Sequence, residues 1–396
     1  MFASLRTMRK PFARLAIGLV TALSVVACGP VALGVGGGGG SGPQVDPSSA
    51  VRVALLVPKG ASGGGGLVGR SLENAAKLAV ADLQGAQIDL QVYDTQGTPG
   101  GAARAAESAV AAGAQVVLGP LYTQSVSAVV PIVASRNINV LSFSNNTAVA
   151  GGNVFVLGQT FSNVANRLIS FARRQGRTSV AVVHAGDVAG IAGRDAIVGA
   201  ARSSGMSVAT VQSYDLSQQG IVSAGPRIAT AIQQTGADTV FLTANVDSDL
   251  PLISTALPEN GVSPEQFRYL GLTRWNALPQ VLSLPGLQNG LFTLPDVAVQ
   301  SAFEARYSAA YGSAPHPLAG LAYDAVQAVG SLLAQGRGDA LSKRALTQGS
   351  GFAGAYGVFR LLPDGTNQRA LAVAQIQNSQ VVVLDPAPKR FGASGF

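Results

Sequence analysis

From Val51 onward, short apolar runs alternate with longer stretches whose apolar residues recur three or four positions apart. "VRVALLV" (Val51 to Val57) has the length and continuity of a strand buried on both faces. "LVGRSLENAAKLAVADL" follows at helical spacing, with Leu72, Ala76, Leu78 and Ala79 on the inner stripe. "QIDLQVYD" reads as the next strand, and "GGAARAAESAVAAG" as an alanine-rich helix stopped by Gly113. "QVVLG" and "INVLSFS" continue the strands. The cycle then resumes through "RLISFARRQG", "SVAVVHA", "RDAIVGAARSSG", "MSVATVQSY", "RIATAIQQTG" and "DTVFLTA". Strand and helix units alternating in this way predict an α/β chain of mainly parallel sheets with helices on both faces. The strands up to Ala244 exceed what one sheet of ordinary width holds, so a break between sheets is expected near Gly151 to Phe161. "LAVAQIQNSQVVVLD" reads as a hairpin turning at Asn378-Ser379.

Ligands of open parallel sheets sit beyond the carboxyl ends of the strands, which makes the strand-end loops the place to look for chemistry. In "GASGGGGLVG", Gly64, Gly66 and Gly69 satisfy G-x-G-x-x-G, and Asp94 ends the second strand. The glycines come too long after the first strand for the tight turn that brings backbone to a pyrophosphate. A flexible loop over a cleft, or plain slack in the chain, is the expectation. No Lys-Ser/Thr pair closes it, so it is not a P-loop. His184 and His316 are the only histidines and no G-x-S-x-G elbow occurs, which argues against hydrolytic catalysis and against a metal site. No catalytic residue and no cofactor is expected. Asp247 and Asp249 follow "DTVFLTA" and read either as caps of the next helix or as ligand contacts. Thr273, Arg274 and Trp275 follow the strand "FRYL". An arginine beside an aromatic there suits an anionic or planar ligand, or a partner protein, and equally a packed tryptophan with a solvated arginine. His316, between Pro315 and Pro317, reads as a rigid loop residue.

Composition sharpens this picture at the N-terminus. Apolar residues make up 47% of the chain and charged ones 12%, which indicates a dense core rather than disorder. Arg6, Arg9, Lys10 and Arg14 precede an apolar run from Leu15 to Ala27 that is too short to span a bilayer, the pattern of an export signal over residues 1–27. Cys28, the one cysteine of 396 residues, stands directly after Val25, Val26 and Ala27. That is the form of a bacterial lipoprotein box, in which the thiol accepts a diacylglycerol and the protein becomes anchored to a membrane. Residues 28–49, rich in Gly, Pro and Ser, would then be a flexible tether. Gly29 favours the outer membrane over the inner. With Cys28 acylated, no disulfide remains possible, and the expected location is the periplasm. The net charge of +7 is mostly the signal's: four of the 27 basic residues lie there with no acidic one, leaving 23 basic against 20 acidic groups. No basic run or aromatic stripe suggests a nucleic-acid partner.

Three segments carry a family resemblance. "VYDTQGTPGGAARAAESAVAAGAQVVLGP", "INVLSFSNNTAVAGGNVF" and "FEARYSAAYGSAPHPLAGLAYDAV" resemble the type I periplasmic-binding fold of leucine/isoleucine/valine-binding proteins. The last contains that family's Phe-x-x-x-Tyr-x-x-x-Tyr-Gly-x-x-Pro run and its Ala-Tyr-Asp-Ala helix. The resemblance implies a two-lobed body over residues 50–396. Lobe 1 would take about 50–157 plus 297–345, and lobe 2 about 158–296 plus 346–385.

In that family the Gly-x-x-Ser/Thr segment and the loop after it hold the ligand's carboxylate. The matching positions are Tyr122, Thr123 and Ser125, then Ser142, Ser144, Asn145 and Asn146. The second lobe commonly offers a carboxylate to the α-ammonium; the matching strand end here carries Thr273-Arg274. "VLGPLYTQSVSAVV" and "VLSFSNNT" are also similar to the C-terminal domain of outer-membrane lipoproteins that activate penicillin-binding proteins. The first expectation is therefore a non-enzymatic lipoprotein that regulates a peptidoglycan synthase. The alternative is a solute-binding lipoprotein that serves an ABC permease for amino acids or related small polar solutes.

Overall fold

A computed structural model describes residues 42–392. Cys28, the signal and most of the tether lie outside the described residues, and no helix among these is long and apolar enough to cross a membrane.

The first lobe is laid down in strict alternation: β1 (Val51–Val57), α1 (Gly64–Asp82), β2 (Ile88–Asp94), α2 (Pro99–Ala111), β3 (Val116–Leu118), α3 (Thr123–Ala134), β4 (Asn139–Ser142) and β5 (Val154–Val156). The five strands are all parallel in the order β2-β1-β3-β4-β5. The apolar run of β1 serves both faces, because side chains alternate along a strand. Val53, Leu55 and Val57 pack with Leu72, Ala76 and Ala79 of α1. Ala54 and Leu56 pack with Ala102, Ala106 and Ala109 of α2 and Val126, Val129 and Val133 of α3.

The second lobe follows the break expected near Gly151 to Phe161. Its elements are α4 (Phe161–Arg174), β6 (Ser179–Ala185), α5 (Val188–Ser203), β7 (Ser207–Tyr214), α6 (Gln218–Gln234), β8 (Thr239–Leu242), α7 (Leu250–Glu259), β9 (Arg268–Gly271) and β10 (Leu291–Leu294). The chain then returns to the first lobe through α8 (Val297–Tyr311), α9 (Gly320–Leu333) and α10 (Lys343–Leu346). A three-stranded antiparallel sheet of β11 (Phe352–Gly354), β12 (Gly357–Leu361) and β13 (Asn367–Arg369) comes next. The chain ends with β14 (Ala372–Gln377) and β15 (Gln380–Asp385). The second sheet runs β15-β14-β10-β9-β8-β6-β7, parallel except for the last hairpin. That hairpin turns at Asn378 and Ser379, both at positive φ (51° and 62°), as a two-residue primed turn requires. It leaves β15 as the sheet edge, with Val382, Val383 and Leu384 partly exposed.

The stretch that the family resemblance assigns to lobe 2 from residue 346 divides between the lobes. Leu346, Phe352, Phe359 and Leu361 belong to the first lobe's core, whereas Ala372, Ala374 and Ile376 belong to the second's. The glycine-rich segment is also not a loop over a cleft. Gly64 already opens α1, and a Cβ at Gly69 would lie 2.7 Å from the backbone of Pro58 and Lys59. These glycines let the first turns of a helix press against the strand end before it.

The chain passes between lobes three times, after β5, after β10 and after β13; the first and third passages are bonded to each other, and the second to the β11–β12 turn. The Asn367 side-chain amide donates to the Val156 and Gly158 carbonyls at 2.8 and 2.9 Å, and Asn163 Nδ2 donates to the Asn367 carbonyl. Arg369 Nε donates to the Leu157 carbonyl at 2.9 Å, and the Asp296 N–H donates to the Tyr356 carbonyl.

Candidate functional site

A half-enclosed cleft of about 550 Å³ opens at these passages. Its first-lobe wall comes from two strand-end loops. The start of α3 presents Leu121, Tyr122 and Thr123, and the loop after β4 presents Phe143, Ser144 and Asn145. Gly119 makes the approach of these loops possible. It has φ of 86°, and a Cβ there would lie 2.3 Å from the Leu56 carbonyl oxygen. Thr123 Oγ1 and Ser144 Oγ are 3.2 Å apart, a hydroxyl pair at the cleft surface. From the second lobe, Arg274 faces this wall. Pro317, Leu318 and Leu321 cover one side, and Gly158, Gln159, Tyr356, Val358, Arg369, Ala370 and Leu371 form the floor at the passages.

The floor is electrostatically quiet. Arg369 is buried and its Nη1 lies 2.8 Å from Oδ2 of Asp324, which is wholly buried. Asp324 Oδ1 accepts from the Ala355 N–H at 2.6 Å. Burial pushes the Asp324 carboxyl up, against the pull of Arg369 and the Ala355 N–H. Tyr356 donates its hydroxyl to the Pro317 carbonyl at 2.5 Å, and burial raises its phenol above the usual range. Arg274 differs. Its Nε is buried without a hydrogen-bond partner, and desolvation depresses its pKa, offset only by the more distant Tyr356 and Glu304. A guanidinium does not give up its proton at ordinary pH, so the half-buried Arg274 keeps its positive charge at the cleft. The cleft lining contains no Asp or Glu.

Of the residues singled out in sequence, Tyr122, Thr123, Ser144, Asn145 and Arg274 meet in this cleft. The others do not. Ser125 is buried inside α3; two positions on a helix turn about 200° around its axis, so Thr123 and Ser125 cannot face one cleft. Ser142 is buried and braces the loop: its hydroxyl donates to the Pro120 carbonyl and accepts from the Ser144 N–H, both at 3.1 Å. Asn146 turns to a neighbouring pocket with Thr160, Asp187 and Asp195, and its side chain accepts from the Ala148 N–H.

Asp247 is exposed and does not line this cleft. Asp249 stands at the N-cap position of α7 but makes no side-chain cap bond. Its carboxylate accepts from the Tyr214 hydroxyl at 2.5 Å and from the Asn245 N–H at 2.7 Å. Thr273 anchors the loop by donating to the Ala244 carbonyl at 2.9 Å. Trp275 is a core residue, fully buried against Phe292 with ring centroids 5.9 Å apart. Gly271 and Gly290 make room for its ring: a Cβ at either would lie 2.2 or 2.5 Å from it. His316 lies beside the cleft, its Nδ1 accepting from the Leu318 N–H at 3.1 Å and its own N–H donating to Ser71 Oγ. Among the described residues no His, Cys, Asp and Glu cluster could hold a metal ion.

Residues 50–380 match the family model described as periplasmic binding protein. The chain belongs to that family. An uncharacterized protein of Rickettsia prowazekii is 26% identical over 121 residues, which are 31% of this chain and 32% of that one. Among solved structures, an ABC transporter substrate-binding protein from Sphaerobacter thermophilus superposes with a TM-score of 0.66 at 17% identity, covering 86% of this chain and 98% of that one. A Desulfitobacterium hafniense ABC transporter substrate-binding protein in complex with Leu gives 0.60 at 16%, covering 85% and 100%. An ABC transporter solute-binding protein from R. palustris in complex with benzoate gives 0.56 at 18%, covering 88% and 99%. At these identities the likeness is one of fold, and it agrees with the two-lobed α/β architecture.

Proposed function

We propose that this periplasmic binding protein is the solute-binding component of an ABC transporter. It works in the periplasm, held to a membrane through Cys28, and it binds its solute without transforming it. The observation that carries this reading is the cleft of about 550 Å³, walled by the Thr123–Ser144 hydroxyl pair on one side and the unpaired Arg274 on the other. A site that buries most of a small ligand between apolar walls and a few aimed polar groups is what capture of a solute requires.

The likeness to activators of penicillin-binding proteins points elsewhere, to a peptidoglycan synthase as partner. Yet the segments that carry it, "VLGPLYTQSVSAVV" and "VLSFSNNT", supply Tyr122, Thr123, Phe143, Ser144 and Asn145 to the cleft wall, which favours the solute reading. A melting-shift screen of the purified chain over amino acids, carboxylates and amides tests it. At a solute concentration of 100 times Kd, binding stabilises the fold by about 2.7 kcal/mol. No shift with any solute, together with capture of a purified peptidoglycan synthase, would replace this reading with the activator one.

A further inference from the structure

Resting on the solute-binding reading, we infer that the cleft takes a small monocarboxylate with an apolar body and no ammonium group, its carboxylate seated on Arg274. Four observations converge. Arg274 is the one guanidinium lining the cleft with no ion pair among the described residues; Glu304 acts on it only through space, and its Nε is buried without a hydrogen-bond partner. A carboxylate placed there gains charge-assisted hydrogen bonds and offsets the desolvation already incurred.

The second lining guanidinium, Arg369, is already neutralised by Asp324 at 2.8 Å. It does not call for a second anion, and its one unpartnered nitrogen, Nη2, is buried.

Third, nothing in the cleft receives an ammonium. The lining has no acidic residue. Asp187 and Asp195 line the neighbouring pocket, where Asp187 caps α5 and Asp195 pairs with Arg194. Asp249 is tied to Tyr214, and Asp247 faces solvent. An α-ammonium next to the carboxylate would therefore be desolvated beside Arg274 with no counter-charge.

Fourth, the remaining surface suits a hydrocarbon or aromatic body: Leu121, Phe143, Leu318, Leu321, Val358 and Leu371 line it. One net positive charge, apolar walls and no acid select a monoanion over a zwitterion or a dianion.

Isothermal titration of the full chain with a matched set tests this. 4-Methylpentanoate keeps leucine's chain and carboxylate, 3-methylbutylamine keeps the chain and an amine, leucine has both charges, and benzoate gives an aromatic body. The carboxylates are expected to bind, leucine at least about tenfold more weakly, and the amine not at all. Arg274→Gln is expected to weaken the carboxylates by about 30-fold or more, the lower end for truncating one partner of a buried charge pair. Arg274 has no carboxylate partner to orphan, so the melting temperature of unliganded Arg274→Gln should not fall. That measurement separates lost affinity from lost fold. Leucine or the amine binding more tightly than 4-methylpentanoate, or carboxylate affinity unchanged in a folded Arg274→Gln, overturns the inference and leaves the solute reading standing. No melting shift with any member of the set or of the wider screen overturns both.

Discussion

Arg369 Nη1 and Asp324 Oδ2 stand 2.8 Å apart with both side chains buried, joining the third passage between lobes to α9. The Phe359 ring lies 5.0 Å beneath the guanidinium carbon. Breaking such a pair from one side leaves a buried charge alone. Arg369→Met is expected to cost about 3–5 kcal/mol of stability by chemical denaturation. Adding Asp324→Leu should recover part of that loss by removing the lone charge, though not all, because the Ala355 N–H and the Leu157 carbonyl lose their partners. A single substitution costing less than about 1 kcal/mol would show that the pair does not carry the hinge.

Trp275 is the sole tryptophan and is fully buried, so its emission should be blue-shifted and shielded from iodide. Gly271→Ala would place a methyl group 2.2 Å from its ring. The expected cost is about 1–3 kcal/mol, the usual range for overpacking, with a red shift of the emission. A wild-type spectrum typical of exposed indole would contradict the core placement.

The two serines of the β4 loop should separate by assay. Ser142 serves the fold, bonding Pro120 and Ser144 in a buried place, so Ser142→Ala is expected to lose about 1–3 kcal/mol of stability. Thr123 serves the cleft. Thr123→Val should leave the melting temperature within a degree or two and weaken solute binding by about 0.5–1.5 kcal/mol. Equal stability losses in both would place the two side chains in the same structural role.

His316 supplies a pH dependence. Burial lowers its pKa in the folded state, and its Nδ1 must be unprotonated to accept from the Leu318 N–H. The neutral form is therefore favoured by folding. That stability is present above the unfolded value of about 6.5 and is lost as pH falls through the folded pKa below it. Melting temperature should drop on acidification through this range, and His316→Ala should flatten the slope. Because Leu318 lines the cleft, solute affinity should fall over the same range.

Much of the architecture was legible from periodicity. The all-parallel first sheet, the break after β5 and the Asn378-Ser379 turn follow from apolar runs, helical stripes and turn residues. The site was legible where it sits on strand ends near a resemblance, as Thr123, Ser144 and Arg274 do. Local pattern could not separate Ser125 from Thr123, because both are small hydroxyl residues on one helix and only its rotation decides which faces the cleft. The sequence leaves Trp275 open between ligand contact and packing for a similar reason: it adjoins a cleft-lining arginine in sequence, and its ring fills the space left by two glycines. Arg369, Tyr356 and Leu318 gave no signal. They reach the cleft from the passages and the α8–α9 connection, brought together by contacts such as Asp324–Arg369 that span 45 positions of chain.

The lacing of the first and third passages through Asn367 and Arg369 has a mechanical consequence. Strands tied to one another cannot bend independently, so any opening or closing must twist them together about one shared axis. Shear between the halves, or rotation of one passage alone, would tear those bonds. The expected motion is that of a clamshell turning on a single pin. A pair of fluorophores on exposed positions of opposite halves, such as Leu67 and Val188, should trace its whole travel as one coordinate.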